Sequence, residues 1–230
     1  NGTTVRTTLA AMPYIPAGTG AVTTSVQTKL RETVSVKDFG AVGDGVTDDT
    51  AAIQAAIDAI SAGGTLLFDA ASTYKVSVLN VTGKAIHLLG YGATINCTGS
   101  DGAVYKTDHG NKLIVEGISF TGTGAGIKQN ATASSTVYDE LEIYSCSFNM
   151  NSGVYGIYLS GGREPKITSC TFYNTSSGNG LYLKSTVSPF ISLCIFKGVG
   201  YVGRAVYYPG TGTGYDAGLV LRDCEIMGWD

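Results

Sequence analysis

Charge is scarce in this chain. Asp, Glu, Lys and Arg make up 14% of its 230 residues, and the formal net charge is −3. No basic run is present to neutralise a phosphate backbone, which argues against nucleic acid as a partner. No apolar stretch approaches the roughly 20 residues that cross a bilayer, so no membrane span is expected. No charged-then-apolar leader stands at the amino terminus, and classical secretion is not expected to be encoded here. Gly-x-Ser-x-Gly and Gly-Lys-Ser/Thr are missing, which leaves serine-hydrolase and phosphate-loop chemistry without support. Proline is limited to 5 residues and tryptophan to one, whereas glycine reaches 32 and tyrosine 14. Gly, Ser, Thr and Asn fill the gaps between apolar pairs, the composition of a strand-rich fold with many tight corners. A mildly acidic, tyrosine-rich surface suits a neutral or sugar-like ligand.

From Leu141 onward one phrase recurs: LEIYSCSF at Leu141–Phe148, PKITSCTF at Pro165–Phe172, PFISLCIF at Pro189–Phe196 and LVLRDCEI at Leu219–Ile226. The cysteines at 146, 170, 194 and 224 set steps of 24, 24 and 30 residues. A period of this size predicts stacked supersecondary units. Within each unit the apolar residues alternate as strands require, with a two-residue interruption that reads as a corner. A second strand follows at Gly156–Leu159, Gly180–Leu183 and Ala205–Tyr208, and a looser copy runs from Leu113 to Phe120 and on to Lys128. Strand, corner, strand and variable loop make one coil of a parallel β-helix. Ile143, Ile167 and Ile191 are then expected in one interior column.

The four repeated cysteines are expected to stack about 4.8 Å apart, the strand spacing, as small buried hydrophobes. Such a column lacks the tetrahedral convergence that zinc prefers, so no metal site is expected and no cofactor is implied.

Ahead of the coils, Val34–Ile57 reads VSVKDFGAVGDGVTDDTAAIQAAI. Gly43-Asp44-Gly45 predicts a tight turn and Thr47 a helix N-cap, with Asp48 and Asp49 in the first turn. Ile53, Ala56, Ile57 and Ile60 form one apolar stripe, and Gly63-Gly64 end the helix. That stripe is expected to cover the open end of the first coil. Turn and cap roles account for Asp44, Asp48 and Asp49, which are not expected to be catalytic or to bind calcium. Residues 1–24, with breaks at Pro13 and Pro16, are too polar and short for a core of their own.

The stretch from Asp38 to Gln54 resembles the amino-terminal motif of pectate-lyase-like right-handed β-helix proteins, a superfamily that includes polygalacturonases and bacteriophage tailspikes. The preceding SVQTKLRETV, from Ser25 to Val34, is similar to the neck of phage tailspikes and tail fibres. The combined motif covers residues 25 to 60, and a weaker coil resemblance extends over most of the rest. The resemblance implies an all-β, right-handed parallel β-helix solenoid with an amino-terminal capping helix, assembled as a homotrimer. It implies a virion tail protein, assembled in the host cytoplasm and acting at the bacterial surface with other tail or baseplate proteins. Its ligand would be a capsule, O-antigen or exopolysaccharide, bound and depolymerised by an endo-glycosidase more readily than by a lyase. The alternative is a non-enzymatic structural or receptor-binding spike. The expected organisation is a neck or linker at 1–32, the cap and first strands at 33–112, and coils from 113 to 230 that continue beyond this segment.

Chemistry is harder to place. Glycoside hydrolysis needs two carboxyl groups roughly 5 to 10 Å apart, a spacing that outward residues on neighbouring coils can meet. Asp139, Glu140, Glu142, Glu164, Asp216, Asp223 and Glu225 are the candidates, with Asp223 and Glu225 foremost because they flank an inward Cys224. None forms a catalytic set. The Asn-Thr-Asp, Asp-Asp, Gly-His-Gly and Arg-Ile-Lys segments of polygalacturonases have no counterpart in the coils. His87 and His109 read as structural. For binding, alternation turns Tyr158, Tyr182 and Tyr207 outward in line with Lys128, a ladder able to contact sugar. The other reading is that the ladder stabilises the sheet or packs on a neighbouring subunit.

Overall fold

The computed structural model describes residues 12–108, 110–130, 140–150, 154–174, 179–198, 204–209 and 218–228. Local alternation builds each coil. In the strand Leu141–Tyr144, Leu141 and Ile143 are buried while Glu142 and Tyr144 point out. Ser145 then adopts φ 52°, and Cys146 and Phe148 return to the interior. The same left-handed corner is taken by Ser169, Leu193 and Asp223, at φ 56°, 53° and 53°. One coil earlier the position belongs to Gly117, the residue type that pays least for φ 67°. The interruption in the repeated phrase is therefore a single αL residue that turns one strand direction into the next.

Pairing is parallel between coils. Ile143 lies opposite Ile167, Ile167 opposite Ile191, and Ile191 opposite Leu221. The three isoleucines are fully buried, so the predicted interior column is present. A second sheet of six strands takes one strand from each of six coils: Leu79–Asn80, Val104–Lys106, Ile127–Asn130, Tyr155–Ser160, Asn179–Lys184 and Val206–Tyr207. The remaining coil strands belong to one 14-stranded sheet that bends at the corners. The fold is a parallel β-solenoid.

The interior is a set of like-on-like columns. Phe120, Phe148, Phe172 and Phe196 stack with centroids 5.1, 4.9 and 4.8 Å apart and planes within 8° of parallel. Three of the four rings lie against a residue without a side chain. A Cβ at Gly126, Gly156 or Gly180 would lie 2.7, 2.9 or 3.0 Å from the ring of Phe148, Phe172 or Phe196. Cys146, Cys170 and Cys194 are buried free thiols, as expected, and their Sγ atoms donate to Val115, Ile143 and Ile167 carbonyls at 3.6, 3.7 and 3.6 Å. Cys224 departs from the pattern: it sits in the last described coil and is only partly covered.

The helix ahead of the coils differs from expectation at both ends. It runs Thr50–Ala59, and Thr47 lies in the strand Asp44–Asp48 instead of capping it. Asp49 occupies the N-cap but makes no side-chain cap bond, because its carboxylate accepts from the backbone N–H of Val42 at 2.6 Å and Gly43 at 3.0 Å. Asp48 supplies the missing acceptor to Thr50 N, at 3.0 Å. Neither acid is in the first turn. Asp44 does hold a turn, accepting from the Val46 and Thr47 amides. At the other end Ile60 is already extended with its side chain 4% exposed, so burial of Ile60 stops the helix before Gly63 is reached. Ile53, Ala56 and Ile57 are buried in the common core. Pro13, expected as a break, joins Tyr14 in a two-residue strand antiparallel to Thr24–Ser25, followed by a short helix at Val26–Leu30. No residue of that helix is buried.

Removing one ring of the phenylalanine column should be costly. Phe172→Ala is expected to lower stability by about 3–5 kcal/mol, read from the midpoint of denaturant unfolding. The exposed αL corner predicts the opposite sign: Leu193→Gly should raise stability by about 0.5–1 kcal/mol in the same measurement, because only glycine adopts that conformation without steric cost.

Candidate functional site

Two outward-facing groups of side chains stand on this scaffold. The first is the tyrosine row. Tyr158, Tyr182 and Tyr207 are in register on successive strands of the six-stranded sheet, and each is half-exposed. Tyr158 and Tyr182 stack at 4.7 Å with planes 4° apart, whereas Tyr207 lies 5.2 Å from Tyr182 and is tilted by 50°. The tilt has a local cause: the Arg204 guanidinium sits 4.1 Å above the Tyr207 ring. Below Tyr158 the row continues through Lys128 to Tyr105, with the ammonium 5.7 Å from the Tyr105 ring and 3.1 Å from Asp101. Tyr155, on the same strand as Tyr158, packs against both Tyr158 and Tyr182. Sequence alternation did not identify Tyr155 or Tyr105. Tyr105 could have been found by extending the ladder one coil back from Lys128.

The stacking has a chemical consequence. Faces of Tyr158 and Tyr182 are turned toward each other, so the row presents ring edges and hydroxyls outward. Beside it, Ser100, Ala125, Lys128, Asn130, Val154, Tyr155 and Tyr158 line a shelf of about 330 Å³. A chain of sugar rings laid along this row would meet hydroxyls and aromatic edges, with an open shelf at its lower end.

The second group lies on the outward face of the large sheet. Glu142 sits between two ammonium groups, Lys112 at 3.3 Å and Lys166 at 3.2 Å, and accepts from the Tyr144 hydroxyl. Burial alone would raise the Glu142 carboxyl, but the hydrogen bonds from Tyr144, Lys166 and Lys112 outweigh it and hold the group below its ordinary value. Burial, the hydrogen bond to Glu142 and the charges of Glu142 and Glu116 push Tyr144 up to about 12. Glu116 in turn lies 3.2 Å from His87 Nε2. His87, expected to be structural, faces outward and belongs to this array.

The other candidates are dispersed. Asp139, Asp216 and His109 lie outside the described residues, as do residues 1–11 of the expected neck. Glu140 is exposed at the start of the Glu142 strand. Glu164 occupies a corner at φ 57° and takes an Arg163 contact at 3.3 Å. Asp223 is the αL corner of the last described coil and pairs with Arg222 at 3.3 Å, while Glu225 is exposed in the following strand. The thiol column shifts in opposite directions along its length: the flanking Cys146 and Cys194 thiols, together with burial, push Cys170 well above the ordinary thiol range, while the hydrogen bond with Cys170 lowers Cys194.

This fold has counterparts among known proteins. A family model described as rhamnogalacturonase A/epimerase, pectate lyase-like matches residues 33–214. A mannuronan C5-epimerase of Azotobacter vinelandii is 41% identical over 85 residues, 36% of this chain and 15% of that protein. A tail spike protein of an Escherichia phage is 48% identical over 60 residues, 26% of this chain and 7% of that protein. The chain thus spans a small fraction of the curated relatives it matches. Among solved structures, a tailspike protein of E. coli bacteriophage HK620 aligns with a TM-score of 0.61 at 17% identity, covering 86% of this chain and 41% of that one. Tailspike protein 3 of bacteriophage CBA120 aligns with a TM-score of 0.52 at 16% identity, covering 90% and 40%. These two likenesses concern the fold.

The acid array makes a prediction on its own. Tyr144 is neutral in the fold beyond the ordinary tyrosine value of 10.0, so its contribution to stability is whole below that pH and is lost as pH rises toward about 12. Glu142 has the reverse dependence: its contribution is present above its ordinary 4.5 and is lost as pH falls through the depressed value. Ultraviolet titration should show a tyrosine ionising near 12 that vanishes in Tyr144→Phe. Glu142→Gln should flatten the acid limb of the thermal-stability profile.

Proposed function

We propose, proceeding from the chain's membership of the rhamnogalacturonase A/epimerase, pectate lyase-like family, that it is the polysaccharide-engaging solenoid of a bacteriophage tailspike. The whole protein recognises a capsule, O-antigen or exopolysaccharide at the bacterial surface. It works as a homotrimer on the virion tail, attached to other tail or baseplate proteins. The stretch 48% identical to a phage tail spike supports the virion setting. The observation that carries the sugar-binding reading is the row Tyr158–Tyr182–Tyr207, held rigid by register and bordered by the Tyr155 shelf. Aromatic side chains with polar tips contact sugars well, because an apolar edge meets the ring C–H groups while the hydroxyl joins the sugar's hydrogen bonds.

Endo-glycosidic depolymerisation is the activity proposed for the whole protein. A specific observation favours a second reading for this segment, a binding module without catalysis. Glu142, the most enclosed carboxylate among the described candidates, is committed as counter-ion to Lys112 and Lys166 and is held below its ordinary value, the wrong direction for a general acid.

The full-length protein, incubated with purified surface polysaccharides from susceptible bacteria, is expected to bind one of them and to release reducing ends. Binding without reducing ends or unsaturated products selects the adhesive reading. Tyr182→Ala should weaken binding about tenfold, on the order of 1.4 kcal/mol, by surface plasmon resonance. Unchanged affinity in that variant removes the row from the site.

A further inference from the structure

Around the corner from the tyrosine row, Lys112, Glu140, Leu141, Glu142, Arg163, Glu164 and Lys166 line a half-open cleft of about 250 Å³. Its charged side chains come from three coils. Lys112 leads into the strand Leu113–Gly122, Glu140 and Glu142 belong to the next coil, and Arg163, Glu164 and Lys166 to the one after. We infer that this cleft is a second saccharide subsite, and that it takes one uncharged sugar ring through its adjacent hydroxyls. The inference rests on the reading of the chain as a polysaccharide binder and adds the class of sugar unit.

Three features carry it. First, the cleft offers donors and acceptors in fixed pairs: Lys112 with Glu142 at 3.3 Å, Lys166 with Glu142 at 3.2 Å, and Arg163 with Glu164 at 3.3 Å. Neighbouring hydroxyl oxygens of a sugar ring are separated by a similar distance. One hydroxyl can therefore donate to a carboxylate oxygen while the next accepts from the cation beside it, two charge-assisted bonds from one diol. An ammonium carries three donors, so a contact with Glu142 does not exhaust Lys112 or Lys166.

Second, the lining is balanced, with the cations Lys112, Arg163 and Lys166 set against the anions Glu140, Glu142 and Glu164. A sugar carboxylate entering here meets three acids as well as three bases, so the cleft holds no net attraction for it. A neutral ring loses nothing by that balance. Third, the pairs are organised beforehand. Glu142 is 18% exposed, accepts from the Tyr144 hydroxyl on the same strand face, and has two lysines converging on it without ligand. The volume of about 250 Å³ has room for one sugar ring.

The experiment follows the amides of residues 140–142, 163, 164 and 166 by 1H–15N NMR during additions of D-glucose, D-galactose and D-mannose, and then of the three corresponding uronates. At least one neutral hexose is expected to move these signals, with its uronate bound at least ~3-fold more weakly. Glu142→Gln removes one negative charge and is expected to reverse that order. Glu164→Gln, whose side chain is 48% exposed beyond the strands, makes the same change where folding is not at stake. The proposal is overturned if the uronates bind the unaltered cleft as well as the hexoses do, if none of the six sugars moves its signals, or if both variants keep the neutral preference. Tyrosine-row signals read in the same spectra during polysaccharide addition separate the two ideas. A responding row with a silent cleft sinks only the subsite, and a silent row with a responding cleft sinks only the ladder.

Discussion

Parallel pairing in register means that every side chain in a coil lies directly over its equivalent in the coil before, about 4.8 Å away. Each position must then tolerate a copy of itself or of its neighbour's replacement, on both faces of the wall. Inside, the solutions are residues that stack on themselves: isoleucine at 143, 167 and 191, cysteine at 146, 170 and 194, phenylalanine at 120, 148, 172 and 196. Outside, the same rule forbids stacked like charges. The register His87, Ile114, Glu142, Lys166, Phe190 contains none. Nor does the register Tyr105, Lys128, Tyr158, Tyr182, Tyr207, where the single cation is set between aromatic rings. The two outward clusters are consequences of this constraint before they are anything else, and their rigidity comes from it.

This constraint explains what could be read from sequence. A column that must repeat leaves a period, so the coil, its corner and its inward positions were legible from the recurrence of Cys146 at 170, 194 and 224 with its flanking apolar residues. The corner residue was legible as an interruption, although not as αL backbone, because Ser145, Leu193 and Asp223 share no side-chain property. The helix boundaries were misread for a different reason. Thr47, Asp48 and Asp49 all satisfy the local preferences of a cap, and the choice among them is made by distant backbone. Asp49 is claimed by Val42 and Gly43, and the amide of Asp49 donates to Lys75 at 2.9 Å. Tertiary demand outweighed local propensity there.

The candidate sites were legible in proportion to their regularity. Tyr158, Tyr182 and Tyr207 keep the period and were found. Lys112, Glu116, Tyr144 and His87 do not keep it. They meet because the parallel register sets His87 beside Ile114, and Ile114 and Glu116 beside Glu142 and Tyr144. Pairwise register between irregular coils cannot be counted from a chain whose loops vary. Glu142 appeared as one of several acids ranked behind Asp223 and Glu225, and its contacts with two lysines and the Tyr144 hydroxyl distinguish it.

Those contacts also separate the parts the two clusters can play. A carboxylate stabilised as an anion by two ammonium groups and a tyrosine hydroxyl is a poor proton donor near neutral pH, yet a well-placed acceptor for a sugar hydroxyl. Stacked tyrosines with occluded faces cannot sandwich a ring, yet they offer hydroxyls at the spacing of the coils. Each cluster therefore gives up one chemical capacity through the packing that orders it and keeps the capacity to form hydrogen bonds from fixed positions. A polymer with many weak contacts per chain gains most from such pre-ordering, since little side-chain entropy remains to be lost when it docks. The solenoid supplies that order through its interior columns, so the phenylalanine and isoleucine stacks set the positions of outward side chains they never touch.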